Sequence, residues 1–352
     1  GDIHMLLHQV GLVSAWNKAG IDQSVFIQDT NGQVVNAILA GLEVSKEKDF
    51  DLNFLTVSRD AGEAAGSIVD MKKGDQTITM NVEYNELDPL LRSIGQPGDV
   101  ADPETGMSPY PANLNVFLVK NSTYEQKLRE TGGVFGEFIN PKYADEAKEK
   151  FKKPTRSETM MQDYAKFLTE GENVGFTNFD KRDVFSPVKN SLEGALGKVK
   201  SNNYPDAMAT GEADYYQFNR KVLKEAGVDI NVEAEEQISQ GIPFKGGAKV
   251  MLSPSFAVNV NEVKEKITGG SVTDRSVVII NGQNVRLENV NVDGTLIIDV
   301  AEDVSLDVRD LNIENEGWEF VNLTEEEMQD ANVPAYLKIR GYRLVKKESK
   351  EI

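Results

Sequence analysis

Hydrophobic and polar positions along the first two thirds of the chain form helical and strand-like runs in succession. Apolar side chains recur at helical spacing over residues 5–19, and this run ends at Gly20, a usual helix terminator. Short β-branched and aromatic runs predict strands over 24–27, 51–57, 78–84, 113–119 and 174–179. Further helices are predicted over 34–42, 141–153, 155–168 and 211–226, with a short helix or turn over 87–94. This succession predicts an α/β sheet.

Two connections between these elements have the character of ligand-binding loops. The polar turn QDTNG at 28–32 follows the first predicted strand, and ligands of α/β sheets collect beyond the carboxyl ends of strands. Residues 95–111 contain four prolines and three glycines, which predicts a long irregular connection of the kind that often lines a site.

The pattern changes after about residue 253. Short aliphatic runs are separated there by Asn281-Gly282, Asp293-Gly294 and acidic turns. The stretches 285–292 and 304–311 are similar and are offset by about one coil of a stacked β solenoid. We therefore divide the chain into a first domain over 1–252 and a small β-helix-like domain over 253–352, for which a structural or interfacial role is favoured over a catalytic one.

Charge and composition exclude several classes of function. The 352 residues include 38 Lys and Arg against 57 Asp and Glu, a net charge of −19 that repels nucleic acid and anionic membrane surfaces. Cysteine is absent and the only histidines are His4 and His8, which excludes disulfides, thiol nucleophiles and zinc–thiolate sites. A metal would need oxygen ligands, which favours magnesium or calcium.

The sequence also bears on location and completeness. It contains neither the roughly 20 apolar residues of a membrane span nor a signal peptide, so we expect a soluble, cytoplasmic protein. The chain opens at Gly1 without an initiator Met, and the helical pattern starts almost at once. This indicates a cut into a longer polypeptide.

Six segments of the chain are distinctive in their order and spacing. They are GDIH at 1–4, QDTNG at 28–32, NVEYNELDPLLR at 81–92, SPYPANLN at 108–115, PTRSETMMQDY at 154–164 and SPVKN at 186–190. Together they closely resemble the UDP-sugar pyrophosphorylases, relatives of UDP-glucose pyrophosphorylase that also accept other sugar 1-phosphates, and the likeness runs from Gly1 to about Tyr342. The resemblance implies a Rossmann-like, mixed-sheet nucleotidyltransferase core of the GT-A-like type, followed by the small β-helix-like domain.

The resemblance implies a definite reaction. In this family an oxygen of a sugar 1-phosphate attacks the α-phosphorus of UTP, giving UDP-sugar and pyrophosphate with Mg²⁺ present. Such transfer needs alignment of two polyanions and neutralisation of charge, and it needs no protein nucleophile. The implied partners are UTP, the sugar 1-phosphate, UDP-sugar and pyrophosphate.

Three residues match family positions closely. Lys189 in SPVKN matches the lysine that contacts phosphate and is the candidate catalytic residue, with a solvated surface lysine as the alternative. Glu83 matches the glutamate that accepts hydrogen bonds from vicinal sugar hydroxyls, with a helix N-cap or an exposed strand carboxylate as the alternative. Asn113 has the donor-and-acceptor amide that hydroxyl recognition needs.

Four further residues match the sugar and metal positions. Asn31 matches an asparagine at the sugar-binding strand end, and Asp29 lies near a magnesium-binding aspartate of relatives, although an Asx-turn is an equal alternative for it. Gly66 corresponds to a glycine where the backbone approaches the sugar. Phe185 stands where relatives have an aromatic near the sugar, and core packing is the alternative.

The nucleotide half of the family site is only partly represented. Gly1 and Asp2 resemble the end of an HGD segment beside the nucleotide, and Lys152, Lys153 and Arg156 form a basic cluster that either meets triphosphate or is a charged helix face. The glycine-rich loop that cradles the UTP phosphates in the family has no counterpart here. We therefore expect the C-terminal part of the enzyme, with a separate N-terminal fragment carrying the rest.

Two other hypotheses remain open at the level of sequence. One alternative is a non-catalytic protein that keeps the pocket and binds UDP-sugar. The other is an enzyme of narrower substrate specificity, for glucose 1-phosphate or for an N-acetylhexosamine 1-phosphate. Turnover with several sugar 1-phosphates separates these hypotheses from the first.

Overall fold

A computed structural model describes residues 2–74, 76–139, 143–145, 147, 149–152, 154–155, 157–169 and 171–352. Contacts within the chain divide it into two compact units. Unit 1 comprises Gly1–Asp29 and Val34–Phe185, and unit 2 comprises Thr30–Gln33 and Ser186–Ile352.

Unit 1 is built on a mixed sheet. Its strands are β1 Gln23–Phe26, β2 Leu52–Val57, β3 Ser67–Lys73, β4 Gln76–Val82, β5 Ala112–Lys120, β6 Phe138–Ile139, β7 Ser157–Glu158 and β8 Val174–Phe179. The main sheet has the order β4-β3-β5-β2-β8, and β1 pairs with β5. The pair β2/β8 is parallel, and the other pairs of this sheet are antiparallel. The structure thus shows the mixed α/β sheet that the sequence predicts.

Helices cover this sheet because its central strands are apolar on both faces. Phe54 and Phe117 belong to one buried cluster, and Leu55 and Leu118 belong to another, as expected where successive side chains point to opposite faces. The helices of unit 1 are α1 Asp2–Gln9, α2 Leu12–Lys18, α3 Val35–Glu47, α4 Tyr84–Ser93, α5 Asn121–Thr131 and α6 Lys181–Val184, with a 3₁₀ helix at Met161–Phe167. A second 3₁₀ helix, Gly32–Val34, contains residues of both units.

A glycine sets the approach of α3 to the sheet. A Cβ on Gly41 would lie 2.7 Å from Leu55 Cδ2 and 2.8 Å from Leu118 Cδ1. Any larger residue at position 41 would therefore push the helix away from β2 and β5.

Several predicted elements of unit 1 are wrong. The helix expected over 5–19 is interrupted at Gly11, whose φ of 65° is left-handed. In the described part of 141–153, Tyr143 and Phe151 form an antiparallel bridge in place of a helix. The helix expected over 155–168 is the short strand β7 followed by a 3₁₀ helix.

Unit 2 contains two parallel sheets joined by a chain that alternates between them. Its strands are β9 Asp229–Ile230, β10 Glu236–Ser239, β11 Ile242–Lys245, β12 Lys249–Leu252, β13 Ile267–Val272, β14 Val277–Asn281, β15 Val285–Asp293, β16 Thr295–Asp299, β17 Leu306–Arg309, β18 Asn312–Glu314, β19 Trp318–Asn322, β20 Tyr342–Lys346 and β21 Lys350–Glu351. One sheet has the order β12-β14-β16-β21; the other has the order β17-β15-β13-β9, with β18 also on β15.

One buried cluster joins these two parallel sheets. Val278 and Leu296 are register partners in the first sheet, and Leu287 and Val292 lie in the second. Outside them, β10 pairs with β11 and β19 with β20, both antiparallel. The helices of unit 2 are α7 Leu192–Lys200, α8 Met208–Glu225, α9 Val260–Lys266, α10 Glu325–Gln329 and α11 Ala335–Arg340.

A search of the described residues for membrane-spanning helices is negative, since none of their helices combines the required length with the required apolar character.

Candidate functional site

An open cleft of about 540 Å³ lies in unit 1. Two of the segments that form it directly follow strands, Ile27–Asp29 after β1 and Glu83 after β4. Asn115 of β5 and the segment 159–162 complete it. The lining residues are Ile27, Gln28, Asp29, Glu83, Asn115, Thr159, Met160, Met161 and Gln162. The cleft therefore brings together Asp29 and Glu83, two residues that the sequence singles out.

The described residues that line this cleft are mainly polar. Their side chains offer two carboxylates, three amides and one hydroxyl, and the remaining members are Ile27, Met160 and Met161. Carboxylates and amides accept and donate the hydrogen bonds that hydroxyl groups make. Such a lining can exchange hydrogen bonds with a hydroxyl-rich ligand.

Glu83 is the N-cap residue of α4, but its carboxylate is turned to a neighbouring side chain. Its carboxylate accepts no hydrogen bond from the backbone N–H groups at the helix start. Instead Glu83 Oε1 accepts a hydrogen bond of 2.9 Å from Asn81 Nδ2. Glu83 therefore occupies the N-cap position, as the alternative interpretation expected, but its carboxylate does not cap the helix.

Asn113 lies in the same hydrogen-bond network as Glu83. Its Nδ2 donates to Asn81 Oδ1 over 3.1 Å, and its Oδ1 accepts from the backbone N–H of Asn115 over 2.9 Å. Both Asn81 and Asn113 are buried. The structure therefore links Asn113 to Asn115, which lines the cleft, and to Asn81, which contacts Glu83.

Gly66 lies against this network. Its carbonyl accepts a hydrogen bond of 2.8 Å from the backbone N–H of Asn113. A Cβ at position 66 would come within 2.5 Å of Asn81 Oδ1. The glycine is needed here because backbone and the Asn81 side chain approach so closely.

Lys189 and Asn31 lie in unit 2, where they belong to one backbone arrangement. Asn31 Oδ1 accepts a hydrogen bond of 3.0 Å from Ser186 N–H, and Asn31 bridges Pro187. The backbone N–H of Lys189 donates over 2.9 Å to the carbonyl of Asp206. The SPVKN segment is thus held from both sides.

The side chain of Lys189 is exposed. Within the part of the chain that the structure describes, no ion pair is formed by its ammonium group, whereas Lys198 is paired with Asp206 at 2.5 Å. Lys189 therefore has the exposure and the freedom to meet an anionic ligand.

The remaining candidates differ in their surroundings. Asp29 is exposed and lines the cleft, but the described residues include no cluster of three acidic or histidine side chains that could hold a metal. Phe185 packs against the buried cluster that contains Leu55. Gly1, Lys153 and Arg156 lie outside the described residues, and Lys152 is exposed.

Asp2 contacts the segment that lines the cleft. Its Oδ1 accepts a hydrogen bond of 3.2 Å from Thr159 Oγ1. Asp2, Thr159 and Met160 also line a smaller cavity of about 50 Å³. Asp2 therefore lies next to the cleft, beside its 159–160 wall.

His4 supports the same segment from the core. Its Nε2 donates to the carbonyl of Met161 over 2.8 Å, so Nδ1 is the acceptor for the hydroxyl of Tyr124 at 2.6 Å. Burial lowers the pKa of His4 from 6.5 to about 4, against the opposing effect of the hydrogen bond to Met161. His4 is thus held as the neutral imidazole, and burial also raises the pKa of Tyr124.

Residues that the sequence analysis missed include Asn81, Asn115 and the cleft-lining role of 159–162. Glu83 lies beyond the end of β4, and the register of β5 shifts between Asn113 and Val116, where Asn115 has a φ of 55°. The regular alternation of side chains along a strand therefore does not predict these contacts. The 159–162 segment carries no pattern that predicts its place in the cleft either.

Comparison with known proteins shows which proteins this chain resembles in sequence. No family model matches the chain. A UDP-sugar pyrophosphorylase of Arabidopsis thaliana is 39% identical over 353 residues, an alignment that covers 100% of this chain and 56% of that protein. One of Oryza sativa subsp. indica is 38% identical over 354 residues, again with 100% and 56% coverage. The chain thus spans about half the length of these curated relatives.

A solved structure shows likeness of fold. The structure is that of a protein of Entamoeba histolytica assigned as a UDP-N-acetylglucosamine pyrophosphorylase, with a TM-score of 0.53 and 17% identity; the match covers 77% of this chain and 61% of that one. The resemblance that the sequence motifs indicate is confirmed, and this chain is related along its entire length to the UDP-sugar pyrophosphorylases.

Proposed function

We propose that this protein is a uridylyltransferase of broad specificity, which makes UDP-sugar and pyrophosphate from UTP and a sugar 1-phosphate. The observation that carries the proposal is the 39% identity along the whole chain to a UDP-sugar pyrophosphorylase. In the reaction, an oxygen of the sugar 1-phosphate forms a bond to the α-phosphorus of UTP. The bond from that phosphorus to the bridging oxygen breaks, and pyrophosphate leaves with the electron pair.

The cleft of unit 1 would hold the sugar. Glu83 and its asparagine network offer acceptors and donors for vicinal hydroxyls, and Ile27, Met160 and Met161 offer apolar contacts. Asn31, Gly66, Asn113 and Phe185 stay predictions for sugar contact, as do Gly1 and Asp2 for the nucleotide.

Lys189 would neutralise charge on the transferring phosphate. Its ammonium is exposed, and the SPVKN backbone that carries it is held by Asn31 and Asp206. One well-placed charge on a transition state contributes about 3–4 kcal/mol.

Mg²⁺ is the cofactor that we propose, with Asp29 as one ligand. Magnesium in phosphoryl-transfer sites is held by one or two carboxylates together with substrate phosphates, and the exposed carboxylate of Asp29 in the cleft can supply one such ligand. The ion would neutralise phosphate charge when bound.

We also propose that the core is GT-A-like and that residues 253–352 form a β-helix-like domain. The two parallel sheets and the alternation of the chain between them support the solenoid. We further propose a cytoplasmic location, and an N-terminal segment, either covalently attached or separate, that completes the UTP site.

The test is pyrophosphate release by the full-length protein with UTP, Mg²⁺ and a panel of sugar 1-phosphates. We expect turnover with several sugars, and a loss of at least tenfold in kcat/KM for Glu83→Gln. Saturable UDP-sugar binding without pyrophosphate release would show a non-catalytic binding protein. Turnover with a single sugar would replace broad specificity by a narrow one.

A further inference from the structure

Two buried asparagines beside the cleft form a hydrogen-bond chain that runs in one direction. The backbone N–H of Asn115 donates to Asn113 Oδ1 at 2.9 Å. Asn113 Nδ2 donates to Asn81 Oδ1 at 3.1 Å, and Asn81 Nδ2 donates to Glu83 Oε1 at 2.9 Å. The chain thus begins at a backbone donor and ends at a carboxylate on the cleft.

Chemistry at the two ends fixes the orientation of both amides. A backbone N–H can only donate, so the carbonyl oxygen of Asn113 must face Asn115. An ionised carboxylate can only accept, so the NH₂ group of Asn81 must face Glu83. Neither amide can flip without placing two donors or two acceptors against each other.

We infer that Asn81 is a positioning residue for the sugar half of the site, an inference that rests on the proposed function. Asn81 itself is not among the residues that line the cleft, and it acts through Glu83. By holding Oε1 from behind, its amide fixes the carboxylate plane and leaves Oε2 directed to a ligand hydroxyl. Preorganisation of this kind lowers the cost of ordering the glutamate on binding.

The glycine at position 66 follows from the same arrangement. A Cβ there would lie 2.5 Å from Asn81 Oδ1 and 3.1 Å from Asn81 Nδ2. The close approach is therefore to the amide of Asn81, and a side chain at 66 would displace it. Gly66→Ala should then reproduce the effect of changing Asn81.

The kinetic test uses Asn81→Asp in the full-length protein. This change keeps the shape and places an acceptor against Glu83 Oε1, so the glutamate turns away. We expect KM for the sugar 1-phosphate to rise at least tenfold while KM for UTP stays within twofold. A folded variant with the KM of the wild type, or with equal losses for both substrates, would overturn the inference.

Matched controls separate positioning from general damage. Thr79→Val, on the same strand β4, removes a hydrogen bond of 2.6 Å to the carboxylate of Asp70, away from the cleft. Gly197→Ala places a Cβ where nothing lies within 4 Å. Both should leave the two KM values within twofold.

A second measurement needs no substrate. Crystal structures of the wild type and of Asn81→Asp should show the Glu83 carboxylate displaced by more than 1 Å, with the backbone of β4 unchanged. A carboxylate in its original place would refute the positioning role. If the wild type shows no turnover with any sugar 1-phosphate, the proposed function fails, and this comparison still decides what Asn81 does.

Discussion

Among single residues, Lys189 has the largest predicted effect on transfer. Lys189→Ala in the full-length protein should lower kcat by about two to three orders of magnitude, since the variant removes a positive charge from the transferring phosphate. Steady-state kinetics with UTP and a sugar 1-phosphate measure this. Lys224→Ala, which removes an exposed lysine of the same unit paired with Asp229 at 3.3 Å, is the control and should change kcat less than twofold. Equal kcat values for Lys189→Ala and the wild type would refute the role.

His4 makes stability depend on pH. Its folded-state pKa of about 4 lies below the ordinary 6.5, so the unfolded chain takes up the proton first as the pH falls. The contribution of His4 to the free energy of unfolding is therefore complete above pH 6.5 and is lost as the pH falls from 6.5 to about 4. This loss amounts to about 3 kcal/mol.

The measurement for His4 is the free energy of unfolding in denaturant at pH 7 and at pH 5. The wild type should lose more stability over this interval than His4→Gln, which cannot take up the proton. Identical pH dependence in the two proteins would show that His4 does not contribute.

Two candidate residues contained in sequence motifs lie near each other in the structure. Asp29 and Glu83 were found in the sequence, and the structure places both in one cleft. Asn81 was missed because a buried asparagine on a strand has no chemical signature of its own. The role that we infer for it rests on contacts with residues 66, 83 and 113, and residues 66 and 113 are distant from it along the chain.

At the scale of elements, the connection 95–111 is fixed by one buried ion pair. Arg59 Nη2 contacts Asp99 Oδ2 at 2.8 Å, and neither side chain is exposed by more than 6%. Ser108 Oγ and Gly62 N–H donate to the same carboxylate, and with Arg59 they hold the pKa of Asp99 below its usual value although burial opposes ionisation. The connection does not line the cleft, contrary to the character that its composition suggested.

Breaking this ion pair should destabilise the protein. Asp99→Ala leaves the Arg59 guanidinium buried without its counter-ion, which costs about 3–5 kcal/mol. Urea unfolding of the variant measures the loss, and Asp307→Ala, from an exposed pair with Arg309, is the control with a change below about 1 kcal/mol. A similar small change for Asp99→Ala would mean that the pair does not hold the connection.

Secondary-structure elements were predicted well where both faces of a strand are buried. They were predicted poorly where a local break in the backbone or a tertiary contact determines the structure. Strands β2 and β5 were predicted because both of their faces are buried, so their sequences are nearly continuous apolar runs. The helix over 5–19 failed at Gly11, where a left-handed φ of 65° separates α1 from α2. Helical periodicity continues across such a break and cannot reveal it.

At the scale of the whole molecule, the net charge of −19 requires that anions be bound by local features. The cleft of unit 1 carries carboxylates and amides, and Lys189 of unit 2 supplies an unpaired cation among the described residues. The sequence of the C-terminal region indicated repeated short aliphatic runs separated by turns, and the structure shows parallel strands there. The sequence did not predict that β9 and β12, which precede that region, pair with its strands β13 and β14.

The most direct test of the central claim is a crystal structure of the full-length protein with UDP-glucose bound. The account predicts the hexose in the cleft of unit 1, with the Glu83 carboxylate within hydrogen-bond distance of its hydroxyls and Asn81 still bound to Glu83 Oε1. A hexose bound elsewhere, with the cleft empty of ligand, would contradict it.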